Sequence, residues 1–386
     1  MSDAAPRPEP FSPKAGRDAL EDLRARLRRT RWPDAPQDAG WSLGTDLGYL
    51  RELVAYWADE FDWPAQEAAL ARLPRFRVEL GGLGIHFVHA QAPASTAPAL
   101  PLVLSHGWPD SFWRYSKVIG LLTDPAAHGA DPADAFDVVV PDMPGYGYSA
   151  RPTGPPPDVI AVAGLWAELM LRLGYPRFGA AGGDIGSDVS RFLALDHPDR
   201  VAAVHRTDIG LPVFAGDPAD LAPGERAWLE SAAAWVGTER GYAAVHETKP
   251  QTAAFGLADS PAGLAAWIVE KLRAWSDCGG DVGQSFTRDE ILTNVTLYWL
   301  TATIGSSMRM YHANAAISTA QRARRVEVPS GFSIFPGDIL RPPRAWLERT
   351  ANVVRFTEPP RGGHFAPFEE PELYAAELRA FFRPYR

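Results

Sequence analysis

The chain is poor in several things at once. It holds one cysteine, Cys278, in 386 residues, so no intramolecular disulfide can staple it, and a reducing compartment suits it. It lacks any excess of positive charge: 38 Lys and Arg stand against 47 Asp and Glu, for a net −9. That balance argues against nucleic acid or an anionic membrane surface as a partner. No apolar run approaches the roughly 18 residues a membrane span needs. The opening MSDAAPRPEPFSP has no apolar stretch of the signal-peptide kind. His86 and His89 share a strand-like segment without acidic or cysteine partners, and no other spacing reads as a metal site. The expectation is a soluble, cytoplasmic protein with a small-molecule partner, no metal and no cofactor.

What is present fits a large globular chain. Apolar residues make up 46% and charged ones 22%, enough for a sizeable core. The 13 tryptophans and 36 prolines are the oddities, and so many aromatics suit a broad apolar cavity.

The apolar pattern divides the chain. Residues 1–16 read as a disordered N-terminus, and 17–74 as a helical extension, with Leu20, Leu23 and Leu27 on one stripe of a helix over Asp18–Arg31. Residues 75–209 carry strands at Phe76–Leu80, Ile85–Val88, Leu100–Ser105, Phe136–Pro141, Phe178–Gly182 and Val201–Thr207, with helices between them. From about 210 to 325 the strand signal vanishes and a helical cap is expected. Residues 326–386 resume with strands near Ser330–Phe335 and Val353–Thr357 and end in a helix over Pro371–Phe382. Alternating strands and helices around an insertion predict an α/β protein with a mostly parallel sheet covered on both faces.

The chemistry concentrates after strand ends. Gly182-Gly183-Asp184-Ile185-Gly186 has the small-x-nucleophile-x-small spelling of a nucleophile elbow, with aspartate in place of serine. An aspartate is ionised at neutral pH and can displace a leaving group from an sp³ carbon, which points to epoxides or alkyl halides. The alternative for Asp184 is an ordinary N-cap of the next helix. Asp338 follows the next-to-last predicted strand and His364 the last, giving the order nucleophile, acid, histidine of the α/β-hydrolase fold. Asp208, beyond another strand end, is the rival acid. His106-Gly107-Trp108-Pro109 follows the Leu100–Ser105 strand, so the N–H groups of Trp108 and Ile185 are the expected oxyanion hole. His106, Pro109 and Ile185 are expected to line the substrate pocket. Asp142–Ser149 reads as a structural loop at its floor.

These motifs resemble those of the microsomal-type epoxide hydrolases along nearly the whole chain. Carrying the resemblance are Asp22-Leu23-Arg24-Ala25-Arg26-Leu27, Thr30-Arg31-Trp32-Pro33-Asp34, His106-Gly107-Trp108-Pro109, Gly182-Gly183-Asp184, Thr248-Lys249-Pro250-Gln251-Thr252, Asp259-Ser260-Pro261, Gly362-Gly363-His364-Phe365 and Phe368-Glu369-Glu370-Pro371. The resemblance implies that Tyr242 and Tyr311, in the cap, assist ring opening, and that the product is a vicinal diol. It also implies a homodimer. Two residues depart from the family pattern: Ile185 stands where Trp is common, and the acid is Asp338 where Glu is frequent. A haloalkane dehalogenase-like enzyme shares the aspartate elbow, and an inactive ligand-binding hydrolase fold is a further alternative. The substrate is expected to be bulky and apolar or aryl, in natural-product biosynthesis or detoxification.

Overall fold

A computed structural model describes residues 7–93, 98–214 and 216–386. Nine strands form one sheet: β1 (Glu9–Pro10), β2 (Arg75–Leu80), β3 (Leu83–Ala90), β4 (Leu100–Ser105), β5 (Phe136–Pro141), β6 (Phe178–Gly182), β7 (Val201–Arg206), β8 (Val326–Ser333) and β9 (Ala351–Thr357). Their spatial order is β1-β2-β3-β5-β4-β6-β7-β8-β9. The first four in that order pair antiparallel, and β5 through β9 pair parallel. The central strands are short apolar runs with almost every residue buried, as a sheet covered on both faces requires.

The expected disordered segment 1–16 needs correction where the structure describes it; residues 1–6 lie outside the described residues. Glu9 and Pro10 pair with Arg77 and Phe76 of β2, and the Phe11 N–H donates to the Arg75 carbonyl at 2.9 Å. The Phe11 ring packs on His86 and Tyr148, an apolar anchor that composition alone hid. The helix expected over Asp18–Arg31 runs from Arg17 to Arg28.

The chain reverses direction across the sheet between β4 and its two neighbours, β5 on one side and β6 on the other. Ligands of open α/β sheets bind at such a switch point, beyond the carboxyl ends of the strands. Between β7 and β8 the described residues form seven α-helices, from Pro223–Glu239 to Thr319–Arg322, and these lie over that end. Among the described residues no single helix is long and apolar enough to cross a membrane.

The N-terminal helices were expected as an appendage to the sheet, yet they also brace the cap. Leu23, Leu27, Leu53, Val54 and Trp57 bury their apolar faces. Arg26 bonds to Asp259 at 2.8 Å, Thr45 to the Ala266 carbonyl at 2.7 Å, and Tyr56 to Asp289 at 2.8 Å.

Candidate active site

Five strand ends converge on one place. β6 delivers Asp184 at the start of the helix Ile185–Asp196, with φ 55° and ψ −135°. Positive φ is costly for a side-chain-bearing residue, and such strain concentrates at functional sites. The surrounding glycines permit the turn by letting backbones touch: a Cβ on Gly186 would come within 2.0 Å of the Ser105 carbonyl oxygen. Asp184 does not cap its helix through its side chain. Its Oδ1 instead accepts the Trp108 N–H at 2.9 Å, and the Ile185 N–H also bears on the carboxylate. Burial alone would raise this carboxyl. His364 and the two backbone N–H groups outweigh that and hold it below the usual carboxylate value.

β9 leads to His364, whose Nδ1 lies 2.8 Å from Asp338 Oδ1. Its Nε2 lies 3.3 Å from Asp184 Oδ2, close enough for an ion pair but not aligned as a hydrogen bond. Burial opposes a charge on this ring, but Asp338 and Asp184 more than compensate and push it up to about 10. Asp208, at the end of β7, accepts the Gly210 N–H at 2.9 Å. Burial, reinforced by the charge of Asp338, pushes its carboxyl up to about 7. Of the two acids that sequence order allowed, Asp338 holds the ring.

Tyr242, on the helix Gly241–Thr248, and Tyr311, on Ile304–Ala315, meet above Asp184 with ring centroids 6.1 Å apart. Burial, with Asp184 beside them, raises both phenols well above their ordinary value, so both stay protonated. The Trp108 indole stacks on Tyr242 at 5.3 Å. Asp184, Ile185, Tyr242 and Tyr311 line one cavity of about 430 Å³, a size suited to a small organic ligand.

Two expected pocket residues are elsewhere. His106 is fully buried and turned away; its Nδ1 lies 2.9 Å from the Gly107 carbonyl and its Nε2 accepts the Met143 N–H at 3.1 Å. Pro109 offers its carbonyl to Asn294 Nδ2 at 2.8 Å. Neither lines the cavity; both brace the loop that presents the Trp108 N–H. His86 likewise has the acidic partner its strand neighbours did not suggest, Asp142 at 2.8 Å. Asp142 also accepts the N–H groups of Phe112 and Tyr148, so it organises the loop beneath the site.

Sequence reasoning overlooked two supports. Arg114 is fully buried, pairs with Asp110 and donates to the His364 carbonyl, tying the Trp108 loop to the histidine loop. The Asp110–Arg114 spacing of four residues was a visible signal, but the carbonyl across the fold was not. His246 packs edge-on against Trp108, Tyr242 and Tyr311 at 4.7, 5.4 and 4.9 Å. It stands one helical turn after Tyr242, and burial lowers its pKa to about 3, keeping it neutral.

The close approach at Gly107 gives a first prediction. A Cβ there would fall 2.2 Å from Asp184 Oδ1, so Gly107→Ala must displace the carboxylate or the loop. Turnover is expected to fall by about 10²-fold, the cost of misplacing a reacting group by about 1 Å. An unchanged rate in a folded variant would show that this contact does not position Asp184.

The family described as the epoxide hydrolase N terminus matches residues 8–115, and the α/β-hydrolase fold family matches 101–258. A protein of Stigmatella aurantiaca assigned as an epoxide hydrolase is 43% identical over 98% of this chain and 85% of its own. Epoxide hydrolase 1 of Sus scrofa is 36% identical, over 96% of this chain and 88% of its own. The structure of Aspergillus niger epoxide hydrolase superposes with a TM-score of 0.85 at 30% identity, covering 99% of this chain and 97% of that one.

Proposed function

This chain belongs to the microsomal-type epoxide hydrolases of the α/β-hydrolase fold, and we propose that it opens its epoxide through a covalent ester on Asp184. The observation that carries the reading is the shared geometry of Asp184, with Oδ1 on the Trp108 N–H and Oδ2 facing His364 Nε2.

Asp184 Oδ2 attacks one epoxide carbon from this pose, and the C–O bond to the ring oxygen breaks. The departing oxygen takes a proton from Tyr242 or Tyr311, which line the same cavity. The carboxylate has now become a neutral ester. His364 thereby loses one of the two charges that kept it protonated, so its proton becomes available to restore the tyrosine. The ring is left neutral, as a general base must be. It next removes a proton from water, which attacks the ester carbonyl. Negative charge develops on Oδ1, already on the Trp108 N–H and beside that of Ile185. Collapse breaks the ester bond to the alcohol oxygen, which takes the proton of the new carboxyl, so a vicinal diol leaves, with Asp184 ionised and His364 protonated again.

Single turnover in H₂¹⁸O with enzyme in excess over styrene oxide tests this sequence. The first diol is expected unlabelled, with the ¹⁸O in Asp184. Label appearing directly in that diol would mean that water, not the carboxylate, attacks the ring.

A further inference from the structure

The cavity does not end at the reacting groups. The helix Ile185–Asp196 runs away from Asp184, so Asp184, Asp188 and Arg191, spaced i, i+4, i+7, fall on one face. All three line the cavity, and Arg191 stands about 10 Å beyond Asp184 along the axis. Two more arginines line the cavity, Arg206 at the end of β7, bonded to Ser187 one turn from Asp184, and Arg322 on the helix Thr319–Arg322.

Carboxylates line the same cavity, but few stand within ion-pairing distance of these cations. Arg191 Nη2 donates to the carbonyls of Arg322 and Arg324 at 2.8 and 2.5 Å. Arg322 donates to the Asn314 carbonyl at 2.5 Å. Arg206 spends its Nε on Ser187 and reaches Asp188 only at 3.5 Å. Nearby charges do not close the gap: Arg324 has its own partner in Asp196 at 2.7 Å, and Arg240 pairs with Glu247. Of these three guanidinium groups only Arg206 has a carboxylate within ion-pairing distance, Asp188, and Asp208 acts on it from further off; Arg191 and Arg322 are held by carbonyl oxygens alone. Burial lowers the pKa of both Arg191 and Arg206; Asp188 opposes this for both and Asp208 for Arg206, while neighbouring arginines add to the lowering. A walled cluster of cations in this state is relieved by an anion.

We propose that this end of the cavity binds a carboxylate of the substrate, so that the epoxide reaching Asp184 carries an acid group about 10 Å from the ring. The proposal rests on the epoxide-opening reading above and adds the chemical class of the substrate. Planar guanidinium forks match a carboxylate in two-pronged fashion, and the match is strongest in a site shielded from water.

The test compares an epoxide bearing a carboxylate at that distance with its methyl ester, using styrene oxide as a reference. In the wild-type enzyme kcat/KM for the acid should exceed that for the ester by about ten- to a hundredfold, the scale of one hydrogen bond to a charged group. The difference should reside mainly in KM. Arg191→Met should abolish the preference, and Arg191→Lys should retain part of it. An ester hydrolysed as well as its acid by the wild-type enzyme overturns the proposal, whether or not the variants fold. So does a preference that survives Arg191→Met. If styrene oxide too yields no diol, the epoxide-opening reading fails and the proposal with it.

Discussion

His364→Gln is expected to halt the enzyme after its first chemical step. Ester formation needs Asp184 and a proton donor, both of which the variant keeps. Ester hydrolysis needs a base, and glutamine is none. Steady-state turnover should fall by about 10²- to 10⁴-fold, the usual worth of a positioned general base. Mass spectrometry should find a peptide containing Asp184 heavier by one whole substrate, and Asp184→Ala should show no such adduct. The wild-type enzyme should show the same dependence through pH. The resting ring, raised to about 10 by Asp338 and Asp184 against the pull of burial, loses one of those charges in the ester. The hydrolytic step should therefore rise with pH through a pKa below about 10 and level off above it. Adduct-free diol formation at the wild-type rate by His364→Gln would remove this histidine from the mechanism.

Loss of both cap phenols is expected to be nearly as damaging, but at the other half of the reaction. Tyr242→Phe or Tyr311→Phe alone leaves one donor beside the ring oxygen, and the two hydroxyls stand over the same carboxylate. The double variant leaves the oxygen to depart as an alkoxide in a buried site. Ester formation should fall by about 10²- to 10⁴-fold, far more than in either single variant. No ester should accumulate, which separates this defect from that of His364→Gln. A double variant that still shows a normal burst of ester would assign the proton to another group.

The sequence was most legible where chemistry follows a strand end. Asp184, Asp338 and His364 each stand just beyond a short apolar run, and chain order alone suggested their roles. It favoured Asp338 with Asp208 as the rival, although both follow strands, and the geometry agrees because the Asp338 loop is the one that reaches His364 Nδ1. It misjudged His106. The backbone of the His106-Gly107-Trp108 loop does face Asp184, but the imidazole points into the loop that holds Met143. Tyr242 and Tyr311 needed family resemblance, since the cap helices bury residues on several faces and no period marks a hydroxyl as functional. The distal arginines had no signal at all. Arg191, Arg206 and Arg322 come from three separate elements and meet only because the elbow helix runs under the cap.

The short strand at Glu9–Pro10 has a consequence for anyone who trims this chain. It carries none of the reacting groups, yet it covers the outer edge of β2 at Arg75, Phe76 and Arg77. A shortened version beginning at the first helix would retain every residue of the proposed chemistry and leave that edge bare. A bare edge of this kind is a template for another chain, so these few residues serve colloidal behaviour more than catalysis.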